Sequence, residues 1–162
     1  MHFNRYIAHW AKRRPDDMAL SCEGRPISWA EIEAQSAQIA AFLVERGLKP
    51  GERVGILMEN SIEWCLAFIG IFRAGAIAVP FNRMFGAFEL DEIARDAGCT
   101  IVVSCPGDIP KLHLDHGHAD LHAIHFYDMA ERPAAPEPLD RVLAAGRAFC
   151  HYPRSDHDGI AI

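Results

Sequence analysis

Four short apolar runs, RVGILM (53–58), AIAVP (76–80), TIVVS (100–104) and LHAIHFY (121–127), recur along the chain. Each has the length of a buried strand, and residues at helical spacing stand between the first three. Strands that start about 20–25 residues apart with a helix between them suit βαβ units, because a parallel pair needs a crossover of a dozen residues or more. The pattern therefore predicts an α/β fold, a mainly parallel sheet with helices on both faces.

The helical segments carry their own punctuation. Phe3, Tyr6, Ile7, Trp10 and Ala11 repeat at helical spacing before Pro15. Ser28 stands three residues before Glu31, a capping box, with Ile27 and Ile32 placed as a hydrophobic staple. Trp29, Ile32, Ile39, Ala40 and Leu43 form one apolar face, and Gly47 is the expected left-handed stop. Asn60 and Glu63 repeat the capping pattern before a helix that is apolar nearly all round, which Gly75 ends. A helix of that kind is covered on several sides. Leu90, Ile93, Ala94 and Ala97 line a last helix stopped by Gly98. Met18–Cys22 and Arg25–Ile27 read either as a short hairpin around Glu23-Gly24 or as an irregular loop. The expected organisation is one domain over 1–162: a leading helix and hairpin (1–27), a βαβ-type core (28–127), a proline-rich loop and linker (128–158) and the start of a strand (159–162).

Composition narrows the class. Half of the 162 residues are apolar, and 23% are charged, as in ordinary globular proteins. No apolar run reaches the length of a membrane span, and the start MHFNRYIAHW lacks a secretory core. The 5 cysteines, Cys22, Cys65, Cys99, Cys105 and Cys150, are scattered, which suits reduced thiols and a cytoplasmic location. Net charge is −6 with arginines dispersed among acids, so no nucleic-acid partner is expected.

The search for chemistry finds little in the chain itself. Neither Gly-x-Gly-x-x-Gly nor Gly-x-x-x-x-Gly-Lys-[Ser/Thr] occurs, and Lys12, Lys49 and Lys111 lie outside any glycine-rich loop. The densest group of ligand-type side chains is His113, Asp115, His116, His118, Asp120, His122 and His125. It fits either a zinc site or a solvated histidine-rich loop, since in a strand His122 and His125 face opposite ways. Asp91, Glu92, Arg95 and Asp96 make an exposed charged helix face. No serine sits in a nucleophile elbow, so no catalytic residue is assigned.

The order of the segments resembles the N-terminal region of the adenylate-forming superfamily, which includes acyl-CoA synthetases, peptide-synthetase adenylation domains and firefly luciferases. The resemblance is carried by ISWAEIEAQSAQIAAFLVERGLKPGERVGILMENSIEWCLAFIGIFRAGAIAVPFN and by FELDEIARDAGCTIVVS. It is close over about 4–104 and weak afterwards. PFN after the second strand is more similar to an acyl-CoA synthetase than to a peptide-synthetase domain. HDGIAI (157–162) resembles the strand that leads into the family's phosphate loop, so the chain reads as a truncated N-terminal subdomain. The resemblance implies a parent that activates a carboxylate with ATP and Mg2+ and transfers the acyl group to CoA. Its charge-stabilising groups are expected downstream, so the fragment is expected to be inactive and to need no cofactor. Expected partners are the rest of the ligase chain or a second copy of this one, through exposed apolar surface. A stand-alone binding module with the same fold is the alternative.

Within the fragment, the resemblance points to Arg83 and Gly86 in NRMFGAF as the CoA side: Arg83 as a phosphate partner, Gly86 as a point of close backbone approach. A solvated arginine and a turn-forming glycine are the plainer reading. Trp64 and Phe68 either border an acyl pocket or belong to the core, and core packing is the simpler account.

Overall fold

A computed structural model describes residues 3–104, 108 and 122–125. In chain order, α1 (Phe3–Arg13) precedes a hairpin of β1 (Met18–Cys22) and β2 (Arg25–Ser28), then α2 (Trp29–Glu45), β3 (Arg53–Leu57), α3 (Ile62–Arg73) and β4 (Ile77–Pro80). They are followed by α4 (Ala87–Ala97), β5 (Cys99–Ser104) and β6 (His122–His125). Of the two readings of the segment after α1, the hairpin is the one adopted, with Leu20 opposite Ile27 and Cys22 opposite Arg25. Glu23 and Gly24 turn it with positive φ of 51° and 78°.

The main sheet has the order β4-β3-β5-β6, and its three neighbouring pairs are all parallel. Val54 pairs with Ala78 on one side and Ile101 on the other, and Leu57 closes against Ser104. Alternation along the strands sends side chains to two cores. Val54, Ile56, Ala78, Ile101 and Val103 join the larger one, with the buried residues of α2 and α3 and Ile7 of α1. Leu57 and Val102 join the smaller one, with Phe81, Leu90 and Ala94. The helices therefore cover opposite faces, α1–α3 on one and α4 on the other, as right-handed crossovers in opposite directions require.

Caps set the helix ends. The Ser28 hydroxyl accepts the Glu31 N–H at 3.2 Å, and the Glu31 carboxylate accepts the Ser28 N–H at 2.8 Å. Ile27 and Ile32 are both buried, as the staple requires. For α3 the capping expectation is off by one residue. The cap is Ser61, not Asn60, in extended backbone with its Oγ accepting the Trp64 N–H at 3.1 Å. Glu63 is buried and pairs with Arg25 of the hairpin. Gly98 ends α4 in the left-handed region at φ 63°. From the first residue of β3, the Arg53 Nε donates to the Ala97 carbonyl at 2.5 Å, placing a cation on the same helix end.

Helices α2 and α3 approach closely at Gly70 in the large core. A Cβ on Gly70 would lie 2.6 Å from the Ile39 Cγ2 and 2.8 Å from its Cβ. Beside it, Arg73 is 2% exposed; its Nε donates to the Ser36 Oγ at 3.0 Å, and its guanidinium pairs with Glu33. Trp64 stacks on Phe68 at 5.2 Å between ring centroids, and Phe68 meets Phe72 at 4.9 Å. Both Trp64 and Phe68 are partly buried against the large core, which agrees with the packing account of these two residues.

Two outcomes are expected. Gly70→Ala destabilises the fold by about 1–3 kcal/mol despite its better helix propensity, read from urea unfolding midpoints. The Glu31 carboxyl is held below its ordinary range, first by the Ser28 backbone N–H and then by the Ser28 hydroxyl. A depressed carboxyl pKa contributes stability above the unfolded value that is lost as pH falls through the folded one. The stability gap between the native chain and Glu31→Ala should therefore narrow as pH drops below 4.5, and a gap independent of pH would refute the capping assignment.

Candidate functional site

In an open parallel sheet, ligands settle outside the carboxyl ends of the strands, where successive connections diverge. Here the connection after β3 runs to β4 on one side, and β5 continues to β6 on the other, so the divergence lies between β3 and β5. The Ser104 hydroxyl donates to the Leu57 carbonyl at 2.9 Å and closes the strand ends beneath that point.

Arg83 spans it. Its Nε donates to the Asp108 carboxylate at 2.7 Å, and its Nη1 donates to the Glu59 carboxylate at 2.5 Å. Glu59 follows β3, Arg83 follows β4 and Asp108 follows β5, so one guanidinium links the loops after three successive strands. Asp108 is 1% exposed, whereas Glu59 is 72% exposed. The hydrogen bond to Asp108, then that to Glu59, raises the Arg83 pKa and keeps the group charged. Two carboxylates therefore already face Arg83.

Gly86 is the N-cap of α4. Its N–H donates to the Glu89 carboxylate at 2.7 Å, and its φ of −76° is open to any residue. The nearest atom to a Cβ built there is the Glu89 Oε2 at 3.7 Å, an ordinary contact. Neither the local backbone nor the neighbouring side chains require glycine. Arg83 and Gly86 lie on the same loop, at the same edge of the sheet.

A cleft of about 510 Å³ opens beside this edge, between the hairpin and the loop after β3, and includes Cys22, Arg25, Glu59, Ser61 and Glu63 in its wall. Its cation, Arg25, is paired with Glu63. Carboxylates outnumber cations along it, so its field disfavours a polyphosphate. Burial, then Cys22 and Glu63, pushes the Cys65 thiol up, and burial pushes Cys99 up to about 11. Neither is an activated nucleophile. Among the described residues no group of three His, Cys, Asp or Glu side chains could hold a metal ion. The candidate ligands His113 to Asp120 lie outside the described residues, and His122 and His125 are described as strand backbone alone.

The sequence reading found Arg83 and missed Glu59 and Asp108. The signal was available: the ion partners are 24 and 25 residues from Arg83, which repeats the strand spacing. Residues a few positions past successive parallel strands meet at one edge. Removing the guanidinium takes an ion partner from a buried carboxylate, whereas removing Glu59 takes away an exposed one. Arg83→Met should lower the denaturation midpoint more than Glu59→Gln, and Gly86→Ala should leave it unchanged. The reverse order of the first two would show that the network does not hold the loops.

Comparison with known proteins places this geometry. The family model described as AMP-binding enzyme matches residues 7–148. The long-chain-fatty-acid–CoA ligase FadD13 of Mycobacterium tuberculosis is 33% identical over 94 residues, covering 58% of this chain and 19% of that protein. The hybrid PKS-NRPS synthetase LUC5 of a Fusarium species is 30% identical over 151 residues, covering 91% of this chain and 4% of that protein. A benzoate CoA ligase from Burkholderia xenovorans superposes over 98% of this chain and 31% of its own, with a TM-score of 0.78 and 18% identity, a likeness of fold. The chain thus spans a minor part of the proteins it matches. With the parallel sheet, the helices on both faces and the family match over most of its length, the chain belongs to the AMP-binding, adenylate-forming enzyme family, and its fold is that of the N-terminal subdomain of the CoA ligases.

Proposed function

We propose that this chain is the N-terminal part of an ATP-dependent acyl-CoA synthetase and that by itself it does not catalyse the reaction. The observation that carries the reading is the match of almost the whole chain to less than a third of a benzoate CoA ligase. In the assembled enzyme a carboxylate oxygen would attack the α-phosphorus of ATP, with pyrophosphate leaving and an acyl-adenylate forming. The CoA thiol would then displace AMP to give the thioester. Both steps build negative charge on phosphate oxygens, and stabilising it takes cations or N–H donors not already committed. At the carboxyl edge of the sheet, Arg83 and Arg25 are each engaged by carboxylates. That electrostatic balance supports a structural role for this part, with the charge-stabilising groups of both steps supplied by the remainder of the ligase.

The described residues do not fit a Mg2+ site, and no step is assigned to the ion here. For CoA, the loop with Arg83 and Gly86 is the side we assign. At Gly86 the Glu89 carboxylate, 3.7 Å from a Cβ built there, is the nearest neighbour to a close approach, while Arg83 would have to exchange Glu59 to meet a phosphate. The rest of the ligase chain is the partner we infer, and Met84 and Phe88, 89% and 73% exposed on that loop and the first turn of α4, are apolar surface it would cover. Uncovered, they favour self-association. Among the described residues no helix is long and apolar enough to cross a membrane. We place the enzyme in the cytoplasm.

Transfer to a carrier-protein thiol instead of CoA is the second reading, favoured by the 91% coverage of this chain in the match to the hybrid synthetase. The two are separated by expressing the full open reading frame that contains these residues. Carboxylate-dependent ATP–pyrophosphate exchange followed by thioester formation on free CoA is the expected result. Thioester on a carrier protein alone would transfer the assignment to the second reading, and no exchange with any acid would overturn both. The 162-residue chain assayed alone should give no acyl-adenylate.

A further inference from the structure

The first helix carries a charge pattern that acyl activation does not use. Residues 1–15 hold Arg5, Lys12, Arg13 and Arg14 and no acid, in a chain whose net charge is −6. At 100° per residue, Arg5, His9 and Lys12 lie in one stripe along α1 with Arg13 beside it, opposite the buried Ile7. Arg5, His9, Lys12 and Arg13 are all exposed. Arg5, Lys12 and Arg13 make no ion pair or hydrogen bond among the described residues. The first acids of the chain, Asp16 and Asp17, lie past the helix, and Asp17 is paired with Arg14 at 2.6 Å.

One aromatic side chain borders the stripe, Tyr6 at 44% exposure beside Arg13, whereas Phe3, 49% exposed, lies nearer the Ile7 side. Each is anchored on its inner side, Phe3 against Phe72 and Tyr6 against Trp10 and Trp29, and leaves the outer part of its ring in solvent. A helix that is already seated on the core by one face and offers cations on the other, with half-exposed aromatic rings at its margins, matches the boundary between lipid headgroups and acyl chains. We propose that the outward face of α1 is a docking surface for an anionic phospholipid bilayer, which the protein meets peripherally and does not cross.

The geometry favours a bilayer over a nucleic acid. A bilayer is flat and meets only this face, so the acidic remainder of the chain stays away from its charge. A duplex groove surrounds a helix and would bring carboxylates of the neighbouring elements towards the phosphates. The proposal is independent of the carboxylate reading above and stands or falls on binding alone.

The test is co-sedimentation of the purified chain with phosphatidylserine–phosphatidylcholine vesicles and with pure phosphatidylcholine vesicles. Binding to the anionic vesicles alone, weakening as salt is raised, is expected. The triple variant Arg5→Gln, Lys12→Gln, Arg13→Gln should lose partitioning by roughly 100-fold, about fivefold per charge. Arg5→Lys with Arg13→Lys should keep it. Circular dichroism of the triple variant checks the fold; if that variant does not fold, the salt dependence of the native chain decides. Equal binding to neutral vesicles, indifference to salt, an unaffected folded triple variant, or tighter binding to duplex DNA than to anionic vesicles would each overturn the proposal.

Discussion

Strand β3 lies between two parallel neighbours and under side chains on both of its faces, and every residue from Val54 to Leu57 is buried. Such a position admits no polar side chain, so charge is expelled to the two ends of the strand. At the amino end Arg53 turns its guanidinium onto the Ala97 carbonyl that ends α4. At the carboxyl end Glu59 emerges into solvent and meets Arg83. The helices follow from the same constraint: each face must be roofed, and the two directions of crossover from β3 and β4 put α3 above and α4 below.

The buried charges show how the fold tolerates what it cannot avoid. Arg73 sits within the helical layer, satisfied by Ser36 and Glu33 from α2, where a hydrophobic residue of similar volume could also pack. Its value lies in the alignment of two helices that approach closely enough at Gly70 to need a fixed rotation. The network at the sheet's divergence point is different in kind. Arg83 occupies the position where folds of this class receive anionic ligands, and it arrives with its own anions. That arrangement holds three loops together and leaves the chemistry to surfaces supplied by the remainder of the ligase, as proposed above.

Much of the fold was legible because its signals are local. Capping at Ser28, the stops at Gly47, Gly75 and Gly98, and the runs of β-branched residues each depend on neighbours within a few positions. The α3 cap was misplaced by one residue because Asn60 and Ser61 are both competent caps, and only the extended backbone at Ser61 decides between them. Glu63 looked like part of that cap because its spacing fits, whereas its partner comes from the hairpin, 38 residues away. The edge network needed the sheet order before Glu59, Arg83 and Asp108 could be seen as neighbours. The basic stripe of α1 was hidden by an average: arginines are dispersed over the chain as a whole, but the first helix lacks acids altogether.

The ring of Phe81 lies over Gly55, and a Cβ there would come within 2.7 Å of it and 3.3 Å of Val102. The strand therefore has a dimple, and the first residue after β4 is the plug that fills it. Positions 55 and 81 share one volume, so variation at the two must be reciprocal: a bulkier strand residue is compatible only with a slimmer successor to Pro80. Through that plug the loop bearing Arg83 inherits its starting point from the middle of the sheet, and repacking a single buried pair would re-aim the whole carboxyl rim.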